Sequence, residues 1–435
     1  MDRRPRRISH QRVRQELGEA EELVRLHPEQ VQLQLGLSVS AGTIAGPPAG
    51  EGERPLTTRA LLPLALASVG GPLALAALYA PGAVSDVTGS GGSIAIAGAI
   101  AFVAPLAIWL RYSRDIASSG GLFAFVAAAV GRPVALVQAA LWLASYVLYL
   151  LYTSAYVVYD LLPPVWPGIQ SWRPAFAALL PAVIALTVVS GRRVAFGAIA
   201  VLGLVQVPLL VLLDVVAVRH APTAAAFAGR VNGDTTHATA EVATLFVCGS
   251  LPLFLGGEVA APRRAFRLAL PVAFAVAAVG VLLAVYPLAH DRAFARASSP
   301  GMSLVRADVG AAAGDAVGLG VAASVIAVML LEYVAITRLL RAVAGVEIRT
   351  STRWLGAALV LAGPASLLFD PDRFYQALLR PSLVLLWLSQ LVVVVVFPLF
   401  VARRGGIRPW HLLATAVAAA LATFGVVTAA VNAST

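Results

Sequence analysis

Long apolar runs recur along this chain, bounded by Arg, Pro or Asp, and many reach the roughly 20 residues that cross about 30 Å of hydrocarbon. We count eleven, at about 60–80, 92–111, 134–160, 174–190, 194–218, 240–261, 266–289, 317–343, 353–369, 381–402 and 409–431. Inside a bilayer the backbone must satisfy its own N–H and C=O groups, so only helices and closed barrels span it. Barrel strands alternate apolar and polar residues over about ten positions, whereas these runs are longer and continuous. The expected fold class is therefore an all-α polytopic membrane protein with about 11 transmembrane helices. With 59% hydrophobic and 12% charged residues among 435, the chain does not read as a soluble one.

A net charge of +10 raises nucleic acid as a partner, and the placement of the charge argues against it. All 32 basic residues are arginine. With the amino terminus set inside, nine lie in the tail and at its junction with span one (the ninth is Arg59), fifteen in cytoplasmic loops from Arg111 to Arg408, and eight outside. This bias follows the positive-inside rule and puts the carboxyl terminus outside. The expected partners are the lipid bilayer and a small solute, without nucleic acid. The Arg-only, Ala-rich usage is associated with GC-rich bacterial sources, hence an expected location in the cell inner membrane.

Signals for an enzyme are missing, and no cofactor or metal is implied. Cys248 is the single cysteine, which leaves no intrachain disulfide and no cysteine metal cage. The six histidines are scattered without an HExxH pair, and there is no GxxxxGK[ST] phosphate loop to serve an ATP-driven motor. No TVGYG-like filter appears, which argues against an ion channel.

Residues 1–58 read as a cytoplasmic tail. Arg3-Arg4-Pro5-Arg6-Arg7 is a basic cluster suited to anionic headgroups. Val13, Leu17, Ala20 and Val24 fall at the spacing of a short amphipathic helix, with a disordered extension as the alternative. The stretch 38–53 is rich in Gly, Pro and Ser and reads as a linker. Its first 55 residues also lack the apolar core of a cleavable signal. Residues 59–435 form one membrane domain. Spans one to five (about 60–218) and six to ten (about 240–402) read as two halves of opposite orientation, with span eleven (about 409–431) outside the repeat.

Two spans break in mid-course. Val69-Gly70-Gly71-Pro72 interrupts the first about ten residues in, near half the hydrocarbon thickness. Cys248-Gly249-Ser250-Leu251-Pro252 interrupts the sixth at similar depth. Paired breaks in two inverted halves mark a solute site at the midplane. Freed amides at Gly70, Gly71, Gly249 and Ser250 would receive a carboxylate, and freed carbonyls a cation. The expected solute-binding set is thus Val69, Gly70, Gly71, Pro72, Cys248, Gly249 and Ser250, joined by Tyr149 and Phe254. The alternative is that the glycines serve helix packing and the prolines only kink.

Glu332 lies inside span eight, where a lone carboxylate is costly unless neutralised or paired, and so it is a candidate proton carrier. The alternative is a structural pair with Arg338 or Arg341. Asp214 lies toward the outer interface, where solvation is the simpler reading. Gln206, before Pro208, lines a cavity or joins helices. Tyr149, Tyr152, Tyr156 and Tyr159 share one helical stripe of span three, a cavity wall or a packing seam. Phe254 reads as an aromatic gate, and Trp387, Ser389 and Gln390 are weaker candidates.

Three stretches carry a family likeness. Gly120-Gly121-Leu122-Phe123-Ala124-Phe125-Val126 with Gly131 resembles the entry to span three in the amino acid–polyamine–organocation (APC) superfamily. Glu258-Val259-Ala260-Ala261-Pro262-Arg263-Arg264 resembles its E-V-x-x-P-R-R stretch, and Thr337-Arg338 its S-R pair. The resemblance covers about residues 60–430. It implies a LeuT-type 5+5 inverted repeat with broken first and sixth spans, and a site between spans one, six, three and eight. It also implies a permease that moves a small amino acid or amine by alternating access. Proton symport is the expected coupling, with H+ as the coupling ion and Glu332 as this chain's own candidate for it. An exchanger, a sodium-coupled carrier, a channel-like protein or a non-transporting solute-binding protein are the alternatives.

Overall fold

The structure, a computed structural model, describes residues 44–45, 55–85, 87, 90–220, 227, 233–288 and 297–431. The amphipathic helix expected near Val13–Val24 and the linker at 38–53, apart from residues 44 and 45, lie outside them. Ten helices among the described residues are long and apolar enough to cross a membrane. These are Thr58–Ala83, Gly91–Ser113, Arg132–Leu161, Pro167–Val189, Arg192–Arg219, Gly233–Glu258, Pro262–Val285, Ala311–Ala344, Arg373–Ala402 and Pro409–Val431. They correspond to expected spans one to eight, ten and eleven. The expected ninth span is a helix at Ile348–Ala365, extended by a 3₁₀ turn at Ser366–Leu368. Arg349 and Arg353 in its first two turns keep it short of a full apolar crossing. Its apolar part nonetheless packs on span four.

Burial sorts the spans into an inner and an outer set. In their most apolar stretches spans one, six and eight are 78, 72 and 83% buried, against 28% for spans four and eleven. A helix that is apolar on all sides belongs at the centre, and one with an exposed apolar face belongs against lipid. Span eight, from Ala311 to Ala344, packs on spans one, three, five and six and is the central column of the molecule. Span ten lies along span three and span eleven along span ten.

Short backbone pairings tie the Arg-rich ends together. Ile44–Ala45 pairs in parallel with Ile116–Ala117, just after span two. Leu56, just before span one, bridges to Val259. There Leu56 N–H donates to the Glu258 carbonyl at 2.7 Å, and Ala260 N–H donates to Leu56 O at 3.0 Å. The same end of span six lies against the loop after span two: a methyl group on Gly256 would come within 2.8 Å of Ser118 O. Only a residue without Cβ lets the two backbones approach so closely.

Candidate functional site

The first break is a true interruption of the helix. Thr58–Ser68 is α-helical, Gly70 and Gly71 both adopt φ of +65°, and helix resumes at Pro72. Left-handed φ is open to glycine at no steric cost. Pro72 stands at the first helical position, where its missing N–H is harmless. The resumed helix widens into a π-turn at Leu75–Tyr79. Of the amides expected to be free, Gly70 N–H donates to Ser68 O at 2.7 Å.

The second break is of another kind, and here the sequence reading needs correction. Span six does not unwind at Cys248–Pro252. It changes from α-helix at Gly233–Thr244 to 3₁₀-helix at Leu245–Glu258, three residues earlier than expected. Gly249 keeps negative φ, so its backbone needs no glycine. The tighter 3₁₀ winding accommodates Gly249, Pro252 and Gly256 without a gap in the chain.

The two breaks meet. A methyl group on Gly249 would stand 3.7 Å from Val69 Cγ2, and one on Gly70 would stand 3.3 Å from Leu245 O. Beside this junction lies a cavity of about 590 Å³ that runs from Gly70 and Cys248 to the span ends opposite the Arg-rich side. Tyr149, Tyr152 and Tyr156 line it from span three, Tyr79 from span one, and Tyr375 and Trp387 from span ten. The rings form a continuous wall: Tyr149–Tyr152 centroids are 5.1 Å apart, Tyr152–Tyr375 5.3 Å and Tyr156–Tyr375 5.1 Å. Three members of the tyrosine stripe thus face a cavity rather than a packing seam. Tyr159 turns away to Arg173, whose guanidinium lies 5.4 Å from its ring.

The expected solute-binding residues divide. Gly70, Cys248 and Tyr149 line the cavity, while Val69, Gly71, Pro72, Gly249, Ser250 and Phe254 do not. Gly71 faces spans eight and five, where a methyl group would stand 2.6 Å from Ser324 Cβ and 3.2 Å from Gln206 Oε1. Gln206 Nε2 donates to Leu202 O, and its Oε1 is buried without a partner among the described residues. Ser250 is fully buried, donates to Val247 O and receives Gln390 Nε2 at 3.5 Å. Ser389, the other weak candidate of span ten, accepts from Gln138 Nε2 at 2.9 Å. Span eight does not line the cavity, contrary to the expected site between spans one, six, three and eight; span ten supplies that wall.

Glu332 is fully buried, and neither carboxylate oxygen has a hydrogen-bond partner among the described residues. The pairing with Arg338 fails, because that guanidinium is engaged elsewhere. Arg338 Nε donates to Glu258 Oε1 at 2.8 Å and its Nη1 to the Thr337 hydroxyl at 3.0 Å. Arg192 reaches the other Glu258 oxygen at 2.9 Å. Both guanidinium groups also lie near the Phe196 ring, at 5.4 and 5.8 Å. Asp214 is only 9% exposed and its Oδ1 has no partner among the described residues, so solvation at the interface does not describe it either.

Toward the Arg-rich end the route from the cavity is filled. Tyr146 packs at a tilt on Trp142 (4.2 Å between centroids) and Trp142 likewise on Phe254 (4.3 Å). Phe254 is fully buried with its ring over Gly121, and the Glu258–Arg192–Arg338 cluster closes the end of span six beyond it. Phe254 is therefore part of this plug and not a neighbour of the cavity. Sequence reasoning missed Tyr79 and Tyr375: the π-turn that carries Tyr79 has no sequence signature of its own, and Tyr375 lies before the expected start of span ten, whose helix begins at Pro371.

No family model matches the chain, and no curated protein matches it in sequence. Among solved structures it is similar to the crystal structure of MhsT in complex with L-phenylalanine, with TM-score 0.61 and 15% identity over 87% of this chain and 99% of that one. The fold is of the LeuT type. In that fold the break in span one and the α-to-3₁₀ change in span six occupy equivalent places in the two five-span halves.

Proposed function

We propose that this protein is a secondary transporter that carries a small amino acid or amine across the membrane by alternating access. The observation that carries the reading is the meeting of the two modified spans beside a cavity that is continuous toward one membrane face and plugged toward the other. Support comes also from the LeuT-type fold, and from the solute named for MhsT, L-phenylalanine. The aromatic rings of Tyr79, Tyr149, Tyr152, Tyr156, Tyr375 and Trp387 suit an ammonium-bearing solute with an apolar body. The Arg-rich end is the cytoplasmic one by the arginine bias, so the cavity faces outward.

Transport on this reading has two requirements. The aromatic wall closes over the solute from outside. The Tyr146–Trp142–Phe254 plug and the Glu258 cluster then separate to open the way inward. Glu332, fully buried and without a partner among the described residues, takes up and gives back a proton in each cycle, which couples solute movement to the proton gradient. Reconstitution into liposomes with a panel of labelled amino acids and amines, with and without a pH gradient, tests the reading. Counterflow of at least one member and faster uptake with an acidic exterior are expected. Absence of both for every member overturns it.

A further inference from the structure

A second cavity, about 780 Å³, opens at the Arg-rich end between spans four, five, eight and nine. Its lining carries five arginines against two glutamates, Glu258 and Glu347. Glu258 already holds Arg192 and Arg338. Arg341, Arg349 and Arg353 have no carboxylate partner among the described residues, and Arg349 and Arg353 are exposed. Two helices also begin at this cavity, at Arg192 and at Ile348, and neither start is capped by a side chain. Free N–H groups at a helix start add to the attraction for an anion that the guanidinium groups already provide.

The depth of the site indicates what kind of anion. Trp354, next to Arg353, is 74% exposed on the outer surface of span nine, as is Leu361 two turns further along. Tryptophan on a lipid-facing surface marks the headgroup level of a bilayer, and basic pockets between spans at that level hold lipid phosphates. We propose that Arg341, Arg349 and Arg353 form a binding site for a phosphate-bearing anion, occupied in the membrane by the headgroup of an anionic lipid. Arg341 closes span eight and the other two open span nine, so the bound group bridges these two elements beside the Glu258 cluster.

Thermal unfolding of the purified full-length protein in detergent tests the site, with added phosphatidylglycerol, phosphatidylcholine or inorganic phosphate. Phosphatidylglycerol should raise the melting temperature by about 3 °C or more, at concentrations where phosphatidylcholine does not. The shift should vanish in Arg341→Gln/Arg349→Gln/Arg353→Gln and persist in Arg264→Gln/Arg267→Gln, which removes exposed arginines outside the cavity. If the triple variant does not fold, Arg349→Gln/Arg353→Gln, which changes two exposed residues, replaces it and should at least halve the shift. A shift from inorganic phosphate alone, lost in the same variants, supports the site with a free anion as its occupant. No shift with either anion, or an equal shift in the cavity variants, overturns the proposal.

Discussion

A carboxylate without a partner persists in a membrane interior only while it is protonated or while a cation stands beside it. Glu332 is in that position: Arg338 binds Glu258, and neither Arg338 nor Arg341 pairs with Glu332 among the described residues. Glu332→Gln removes no hydrogen bond and no ion pair seen among the described residues. Its stability should therefore stay within about 0.5 kcal/mol of the wild type or rise. Uptake by this variant should no longer accelerate as the exterior is made acidic, while solute exchange continues; uptake that still follows the pH gradient removes Glu332 from the coupling role. Gly71 and Gly249 make a second contrast at this scale. Gly71→Ala meets both left-handed φ and Ser324 Cβ at 2.6 Å and should cost about 2–4 kcal/mol. Gly249→Ala meets only ordinary contacts at 3.7 and 3.8 Å and should melt within about 1 kcal/mol of the wild type. Thermal denaturation in one detergent compares the pair, and equal losses would contradict the difference in backbone.

Among the elements, span six makes the largest demand on its own end. Glu258 is buried between two guanidinium groups, and removing one member of such a cluster leaves uncompensated buried charge. Glu258→Gln should lower stability by about 3–5 kcal/mol, read as a fall in melting temperature; a wild-type melting curve would show that the arginines are well accommodated without it. This scale also shows how far the sequence could be read. Ten of the eleven expected spans, the break at Gly70-Gly71 and the membrane placement of Glu332 follow from hydropathy, glycine φ and charge, all of which are local. The course of span six does not. Glycine and proline announce weakness near Cys248, but whether a weak helix unwinds or tightens to 3₁₀ depends on what packs against it, here Val69, Trp109 and Ser118. The partner of Arg338 was hidden for a related reason, since Glu258 is 80 residues away in the chain. Tyr375 likewise joins the tyrosines of span three only through the packing of span ten on span three.

For the molecule as a whole, a cavity on one side and a plug on the other make a prediction about access. Cys248 is the single cysteine of the chain and lines the tyrosine-walled cavity while only 8% exposed. A small impermeant thiol reagent added outside sealed vesicles of known orientation should modify it slowly, and a saturating transported solute should protect it. The same reagent added from the Arg-rich side should leave the wild type unmodified and react at least several-fold faster with Glu258→Gln. Equal reactivity from both sides in the wild type would contradict the plug formed by Tyr146, Trp142 and Phe254. Leu56 bears on how that plug gives way. Its two backbone hydrogen bonds to Glu258 and Ala260 clasp the chain entering span one to the residue that holds Arg192 and Arg338. Tilting span one away from span six would therefore strain the clasp and the ion cluster in the same movement. Interactions that share one residue tend to let go together, so opening at this end is expected to be an all-or-none event.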